Sequence, residues 1–124
     1  MDLHDCICDR IQEVDSSIRY VGLANKMGTR IEDHYRYGLC PLLKESELDL
    51  SVLESVLRMN LRYNMQYKLG KPLYSFTLYE KVKRVTIPLY NSGYQILISF
   101  DIDGENEYVI FKKVLSLLKK EHIQ

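Results

Sequence analysis

Several features that mark particular protein classes are scarce or absent in this sequence of 124 residues. There is no tryptophan, and the three prolines are scattered rather than gathered in a linker. The number of cysteines, three, is odd, so they cannot all pair within one chain. This argues against a closed disulfide framework and favours reduced thiols in a cytosol. The 17 basic and 17 acidic residues cancel, so the chain lacks the cationic surplus that binds nucleic acid or an acidic membrane. We therefore predict a cytoplasmic protein that contacts no membrane and has no general affinity for nucleic acid.

Signals for membrane insertion, secretion and catalysis are also missing. No apolar run reaches the roughly 18 residues that span a bilayer, and the acidic start at residues 1–5 does not resemble a secretory signal. The six glycines are isolated, so no dinucleotide-binding or phosphate-binding loop occurs, and there is no Gly-x-Ser-x-Gly or His-Glu-x-x-His pattern. With 46% apolar residues the chain can build one core. We predict a single non-enzymatic domain over residues 1–124 that uses no cofactor.

Hydrophobic periodicity predicts elements in the order α-β-β-α-β-β-β-α. The helices are expected over residues 2–15 and 44–69 and in the segment after the turn 103–105. The strands are expected over residues 18–25, 29–37, 73–79, 82–89 and 94–100. A hairpin, a helical crossover and a three-stranded meander then form a single five-stranded antiparallel sheet covered by helices, which is an α+β fold.

The long predicted helix carries more apolar residues than one buried face needs. One stripe at helical spacing is predicted to face the core: Leu50, Leu53, Val56, Leu57, Leu61, Met65 and Leu69. Met59, Tyr63 and Tyr67 lie away from that stripe and add a second apolar surface. Either this second surface is buried in a complex, or these residues widen the face toward the core.

The order and lengths of these elements resemble the roadblock/dynein-light-chain fold of the profilin-like group, over nearly the whole chain. The resemblance implies a homodimerisation and docking module that assembles on small GTPases or on motor and signalling scaffolds. It also implies that two copies join through the edge strand after the long helix, here residues 73–79, and pack their long helices together. An unpaired strand edge is a template for another strand. The implied dimer interface comprises Met59, Tyr63, Tyr67, Tyr74, Phe76 and Leu78.

Short segments carry a closer resemblance, to small uncharacterised proteins of ammonia-oxidising archaea. These segments are residues 18–22, 41–43, 68–71 and 76–84. The resemblance implies an archaeal cytoplasmic protein and brings no biochemical activity with it.

A small-molecule sensor is the alternative function, because a sheet of this type can hold a ligand between itself and its helices. The expected mark is a cavity lined by Tyr20, Tyr35 or Tyr94 with a polar group beside it. The 10 tyrosines suit either a ligand pocket or a protein interface, since each has an apolar body and a polar tip.

The cysteines offer a weak zinc signal. His4 and Cys8 are one turn apart on the first predicted helix, and Cys6 and Cys40 could join them at a metal ion. No second pair has ligand spacing, so half-buried thiols are the preferred interpretation. Whether Cys6, Cys8 and Cys40 have a redox or metal role stays open at this point.

A basic run surrounds the predicted hairpin of strands 73–79 and 82–89. It comprises Lys68, Lys71, Lys81, Lys83 and Arg84, with tyrosines nearby. Phosphate contacts and base stacking are one use of such a run, but the neutral total charge favours an ordinary solvated face.

Overall fold

Five strands pair antiparallel in the order β2-β1-β5-β4-β3 in the computed structural model, which describes residues 7–121. Their bounds are Ile18–Ala24 for β1, Arg30–Tyr35 for β2, Ser75–Leu78 for β3, Val82–Leu89 for β4 and Tyr94–Asp101 for β5. The predicted single antiparallel sheet and the α+β class are confirmed, and each strand lies within a few residues of its expected bounds. β2 and β3 are the two edges of the sheet.

Helices lie on both sides of this sheet. They are α1 at Ile7–Gln12, α2 at Glu45–Arg62, α3 at Gln66–Leu69, α4 at Asn106–Val109 and α5 at Leu115–Lys120. A 3-10 turn at Tyr63–Met65 joins α2 to α3, and a π-helical turn at Ile110–Val114 joins α4 to α5. The predicted long helix therefore has the right extent but is interrupted near its end. Residues 2–6 of the first predicted helix lie outside the described residues.

The larger core lies between one face of the sheet and helices α1, α4 and α5. Strand residues two apart point to the same face, so the alternating apolar residues of β4 and β5 all reach this core: Val85, Ile87, Leu89, Ile96, Ile98 and Phe100. These are the same-face residues that the alternation of the sequence predicts. The helical side of the core consists of Ile7, Cys8, Ile11, Val109, Ile110, Val114 and Leu118.

α2 covers the opposite face of the sheet. The smaller core on this side consists of Tyr20, Ala24, Leu48, Val52, Val56 and Leu97. A Cβ atom at Gly22 would lie 2.4 Å from the hydroxyl oxygen of Tyr20, so the missing side chain leaves the room that the tyrosine occupies. Tyr20 therefore reaches along β1 beneath the helix.

The buried stripe of α2 differs from the predicted one. The residues of α2 that are buried are Leu48, Val52, Val56 and Met59. All but one of the residues predicted to face the core are exposed instead: Leu50, Leu53, Leu57, Leu61, Met65 and Leu69. The prediction is wrong because two stripes of this helix have apolar residues at helical spacing, and periodicity alone does not say which of them meets the sheet.

Candidate functional site

Strand β3 leaves one side of its backbone unpaired by any strand of the described residues. On its other side it pairs with β4, with Phe76 opposite Val85 and Leu78 opposite Lys83. Phe76 packs against the larger core, whereas Leu78 is 64% exposed. The strand after the long helix therefore lies at the edge of the sheet, as predicted. Such an edge presents N–H and C=O groups to which another strand can bond.

A second exposed feature is the leucine stripe, which we define as Leu50, Leu53, Leu57 and Leu61 of α2. Leu50 is 57% exposed and Leu61 is 68% exposed. From the rise of an α-helix, the stripe is about 16 Å long. Exposed apolar residues follow it beyond the end of α2: Met65, Tyr67 and Leu69. An apolar row of this length on the exposed side of a helix is typical of a surface that another protein covers.

One of the residues predicted at a dimer interface is corrected by the structure. Met59 has an exposed fraction of 0%, so its assignment to an outward face of the long helix is wrong. It belongs to the buried stripe of α2 together with Val56. Sequence reasoning assigned Leu57 and Leu61 to the core, although they lie on the exposed side. The surplus of apolar residues on this helix was the signal in the sequence that it has a second apolar face besides the buried one.

The other predicted interface residues lie in different surroundings. Tyr63 is half-buried at the end of α2, and Tyr67 is 74% exposed. Tyr74 and Phe76 are half-buried against the larger core, while Leu78 is exposed. Tyr67 and Leu78 therefore have the most surface to offer a second molecule. Their role in an interface stays a prediction.

An open cleft of about 700 Å³ lies between α2, the loop 39–43 and the sheet. Two of the three tyrosines expected at a ligand cavity, Tyr20 and Tyr35, line it. Tyr94 packs against the larger core on the other face of the sheet, so the expectation is wrong for this residue. Further apolar lining comes from the loop, from α2 and from β4: Leu39, Pro41, Leu42, Leu43, Leu48, Leu50 and Val82.

The two tyrosines form a pair that a carboxylate holds in place. The ring centroids of Tyr20 and Tyr35 are 4.9 Å apart, and the rings are tilted by 53°. The Tyr20 hydroxyl donates a hydrogen bond to Asp33 at 3.2 Å. Burial, together with the negative charge of Asp33, raises the pKa of Tyr20 above its ordinary value. The Tyr20 hydroxyl thus stays protonated, and its ring serves as an apolar wall of the cleft.

Arg30 connects strand β2 to the start of α2 beside the cleft. Its guanidinium lies 2.7 Å from Asp33, 2.6 Å from Glu45 and 3.1 Å from Asp49. Glu45 is in the first turn of α2, where a negative charge also interacts favourably with the helix dipole. The network fixes the amino-terminal half of α2 over the sheet, and with it one wall of the cleft.

Two further arginines share a carboxylate at the end of β5. Asp101 accepts hydrogen bonds from Arg36 at 2.7 and 3.1 Å and from Arg19 at 3.3 Å. The hydrogen bonds from Arg36 lower the pKa of Asp101 below its ordinary value. Arg19 lines the cleft, but its charge is matched by this carboxylate.

The predicted basic run does not form one patch. Lys83 donates a hydrogen bond to the carbonyl oxygen of Gly104 at 3.0 Å, whereas its neighbour Arg84 lines the cleft. Neighbouring strand residues point to opposite faces, so these two charges are directed apart. Lys71 lies elsewhere, with its ammonium 4.8 Å from the ring centroid of Tyr90.

The two described cysteines lie in different surroundings. Cys8 is buried in the larger core, and burial raises the pKa of its thiol to about 12, whereas Cys40 is exposed. Within residues 7–121, no group of three or more His, Cys, Asp and Glu side chains is arranged to hold a metal ion. His4 and Cys6, the other members of the predicted zinc set, lie outside the described residues. Nor does any helix in the described part of the chain have the length and apolar character needed to cross a membrane.

Comparisons with known proteins identify the fold. No protein-family model matches the chain, and no curated protein matches it. A Roadblock/LC7 domain from Streptomyces avermitilis superposes with a TM-score of 0.69 over 100% of both chains, at 9% sequence identity. MglB from Myxococcus xanthus gives a TM-score of 0.69 at 16% identity, over 95% of this chain and 93% of that one. An MglB with a tetrameric arrangement gives 0.68 at 15% identity, over 98% and 96%.

The chain therefore has the roadblock/LC7 fold. The resemblance inferred from element order is confirmed at the level of fold, and sequence identities this low carry nothing further. The closer resemblance to archaeal proteins stays a prediction.

Proposed function

We propose that this protein is a non-catalytic, cytoplasmic interaction module that forms a homodimer and docks a partner protein. The observation that carries the proposal is that one chain has both an unpaired β3 edge and the leucine stripe. A small GTPase is the first candidate partner, because the roadblock resemblance implies one. The tetrameric arrangement of an MglB with this fold supports self-association.

The energetics of such a dimer are favourable in outline. Two β3 strands that pair side by side satisfy each other's free N–H and C=O groups. The leucines of two stripes, which are already partly buried, would contribute on the order of 10 kcal/mol when covered. That gain is comparable to the cost of association, which is about 4–15 kcal/mol. Backbone pairing and apolar contact together therefore account for a dimer where either alone is marginal.

Light scattering after size-exclusion chromatography tests the dimer. At concentrations from about 1 to 100 µM, the range of weak to tight association, we expect the mass of two chains, against 14.6 kDa for one. A strict monomer throughout would overturn the homodimer. Calorimetric titration with small GTPases of the same organism, loaded with GDP or with a GTP analogue, tests the partner. If neither form binds, a small GTPase is not the partner, and the proposal of a homodimer is unaffected.

Ligand sensing is the second candidate function, and the cleft is the observation that favours it. Its volume of about 700 Å³ falls within the range of small-molecule sites. Tyr20 and Tyr35 supply the aromatic wall, with the Ser51 and Ser99 hydroxyls beside them as polar groups. Backbone amide shifts of Ser51 and Ser99 on ligand addition would support this function, and a cleft that takes up no ligand would overturn it.

A further inference from the structure

One arginine lines the cleft from the middle of the sheet. Arg84 of β4 lies opposite Thr77 of β3 and Ser99 of β5, at the point where α2 leaves the sheet face open. Its side chain is half-buried and donates a hydrogen bond to the Ser51 hydroxyl at 2.5 Å. The guanidinium is thus held in the wall of the cleft by a neutral partner.

The absence of a carboxylate partner distinguishes Arg84 from the other half-buried arginines of residues 7–121. Carboxylates lie within 4.0 Å of each of the others, which are Arg10, Arg19, Arg30 and Arg36. Within the described chain, no carboxylate comes that close to Arg84. A guanidinium has five N–H donors, and a half-buried cation with no opposite charge is costly. Arg84 therefore has N–H donors available, and an anion beside it would stabilise its charge.

The rest of the lining defines the kind of anion. Tyr20, Tyr35 and Leu42 provide an apolar wall, which suits an apolar ligand body. On the helix side, Glu47 accepts a hydrogen bond from the backbone of Lys44 at 2.9 Å, and Glu54 lies 3.4 Å from Arg58, so both glutamates have partners of their own. Glu80 and Lys81 also line the cleft, and their charges are opposite. The two glutamates of the helix therefore remain to repel a second anionic group. A ligand with one negative charge thus fits better than a dianion.

We propose that the cleft binds a small apolar carboxylate. Its carboxylate accepts two parallel hydrogen bonds from Arg84, in the fork geometry that guanidinium groups favour, and its apolar body lies against Tyr20, Tyr35 and Leu42. This inference rests on the second proposed function, ligand sensing, and does not require the homodimer, although Leu50 belongs to both the cleft lining and the leucine stripe. It specifies the class of ligand and the residue that selects it.

A matched pair of probes tests the inference. Decanoate and decanol have the same chain and differ in charge, and each is titrated into ¹⁵N-labelled protein at pH 7.5 while the amides of Ser51 and Ser99 are followed. Arg84→Gln removes the cation and leaves a shorter, uncharged polar side chain. Arg62→Gln is the control, because Arg62 is an exposed arginine of α2 that is not part of the cleft lining. Far-UV circular dichroism and the melting temperature establish that both variants fold.

We expect decanoate to bind the wild type at least tenfold more tightly than decanol and to shift the Ser51 and Ser99 amides. Arg84→Gln is expected to lower decanoate affinity about tenfold and to leave decanol unchanged, while Arg62→Gln changes neither; each tenfold step corresponds to about 1.4 kcal/mol. Equal affinity for the two probes in the wild type, with both at the cleft, would overturn the carboxylate inference but leave ligand sensing standing. If Arg84→Gln leaves the affinity for decanoate unchanged, the carboxylate inference is likewise overturned and ligand sensing still stands. Shifts with neither probe would overturn both.

Discussion

Met59 and Leu57 lie two positions apart in α2 and have opposite surroundings, with exposed fractions of 0% and 52%. An α-helix has 3.6 residues per turn, so a step of two residues carries a side chain to nearly the opposite side. The pair therefore separates two roles of the same helix. Met59 contributes to the stability of the single chain, and Leu57 is available for contact with another molecule.

Truncation of these two side chains is expected to affect stability very differently. Met59→Ala should lower the free energy of unfolding by about 2–5 kcal/mol, because it leaves a cavity in a packed interior. Leu57→Ala should change it by less than about 0.5 kcal/mol, since the side chain is half in water. Urea denaturation, at a concentration where light scattering shows monomers, gives both values. Equal losses would contradict the assignment of the two faces.

A charge in the leucine stripe is expected to weaken the dimer without unfolding the chain. Leu57→Glu introduces a carboxylate that would have to be desolvated in the interface, so the dimer should dissociate at least tenfold more readily in light scattering. Arg62→Glu is the control, because Arg62 is an exposed residue on a different side of α2 from the stripe. If the dimer tolerates Leu57→Glu as well as it tolerates Arg62→Glu, the stripe is not part of the interface.

Asp101 is expected to make stability depend on pH in acid. Hydrogen bonds from Arg36 lower its folded-state pKa below the ordinary value of 3.8. The unfolded chain therefore holds this proton more tightly, so the carboxylate stabilises the fold above the ordinary pKa, and the contribution is lost as the pH falls through the lower folded value. Asp101→Asn should lower the free energy of unfolding at pH 7, and its difference from wild type should shrink below about pH 4.

The matched control for this change is Asp103→Asn, at an exposed position two residues further along. Urea unfolding should separate the Asp101 variant from wild type by more at pH 7 than at pH 3. A difference of the same size at both values would mean that Asp101 acts through packing rather than charge.

The two described cysteines should react with iodoacetamide at very different rates. Cys8 is buried, and the raised pKa of its thiol, about 12, keeps it protonated at pH 8, whereas the alkylating agent needs an accessible thiolate. Cys40 is exposed and is expected to be labelled first. Peptide mass spectrometry after a short exposure of the folded protein to iodoacetamide measures the extent of labelling at both cysteines. Labelling of Cys8 at the rate of Cys40 would contradict the packing of α1 against the sheet.

Much of the fold follows from local patterns in the sequence. The alternation in 82–89 and 94–100 identifies the buried faces of β4 and β5 correctly, because a strand buried on one side must place every second side chain in the core. The position of β3 at the sheet edge is the one that the roadblock resemblance implies. α2 could not be oriented in the same way, since its Val52 side and its Leu57 side both have apolar residues at helical spacing.

The cleft depends on contacts that no local pattern contains. Tyr20, Leu42 and Arg84 come from a strand, a loop and a distant strand, and they meet because α2 leaves part of the sheet face open. Sequence reasoning grouped Arg84 with neighbouring lysines as a basic run. The pairing that sets it apart, a hydroxyl of α2 in place of a carboxylate, exists only in the folded chain.

Hydrogen–deuterium exchange at two protein concentrations tests the proposed β3 pairing most directly. An amide that bonds to a second chain is protected in proportion to the amount of dimer, so the segment Ser75–Leu78 should exchange more slowly at about 200 µM than at about 1 µM. The other sheet edge, Arg30–Tyr35, provides the internal control and should exchange equally at both concentrations. Protection of β3 that rises with the dimer fraction measured by light scattering is the result we predict. A dimer that leaves β3 exchange unchanged, or no dimer at all, would contradict it.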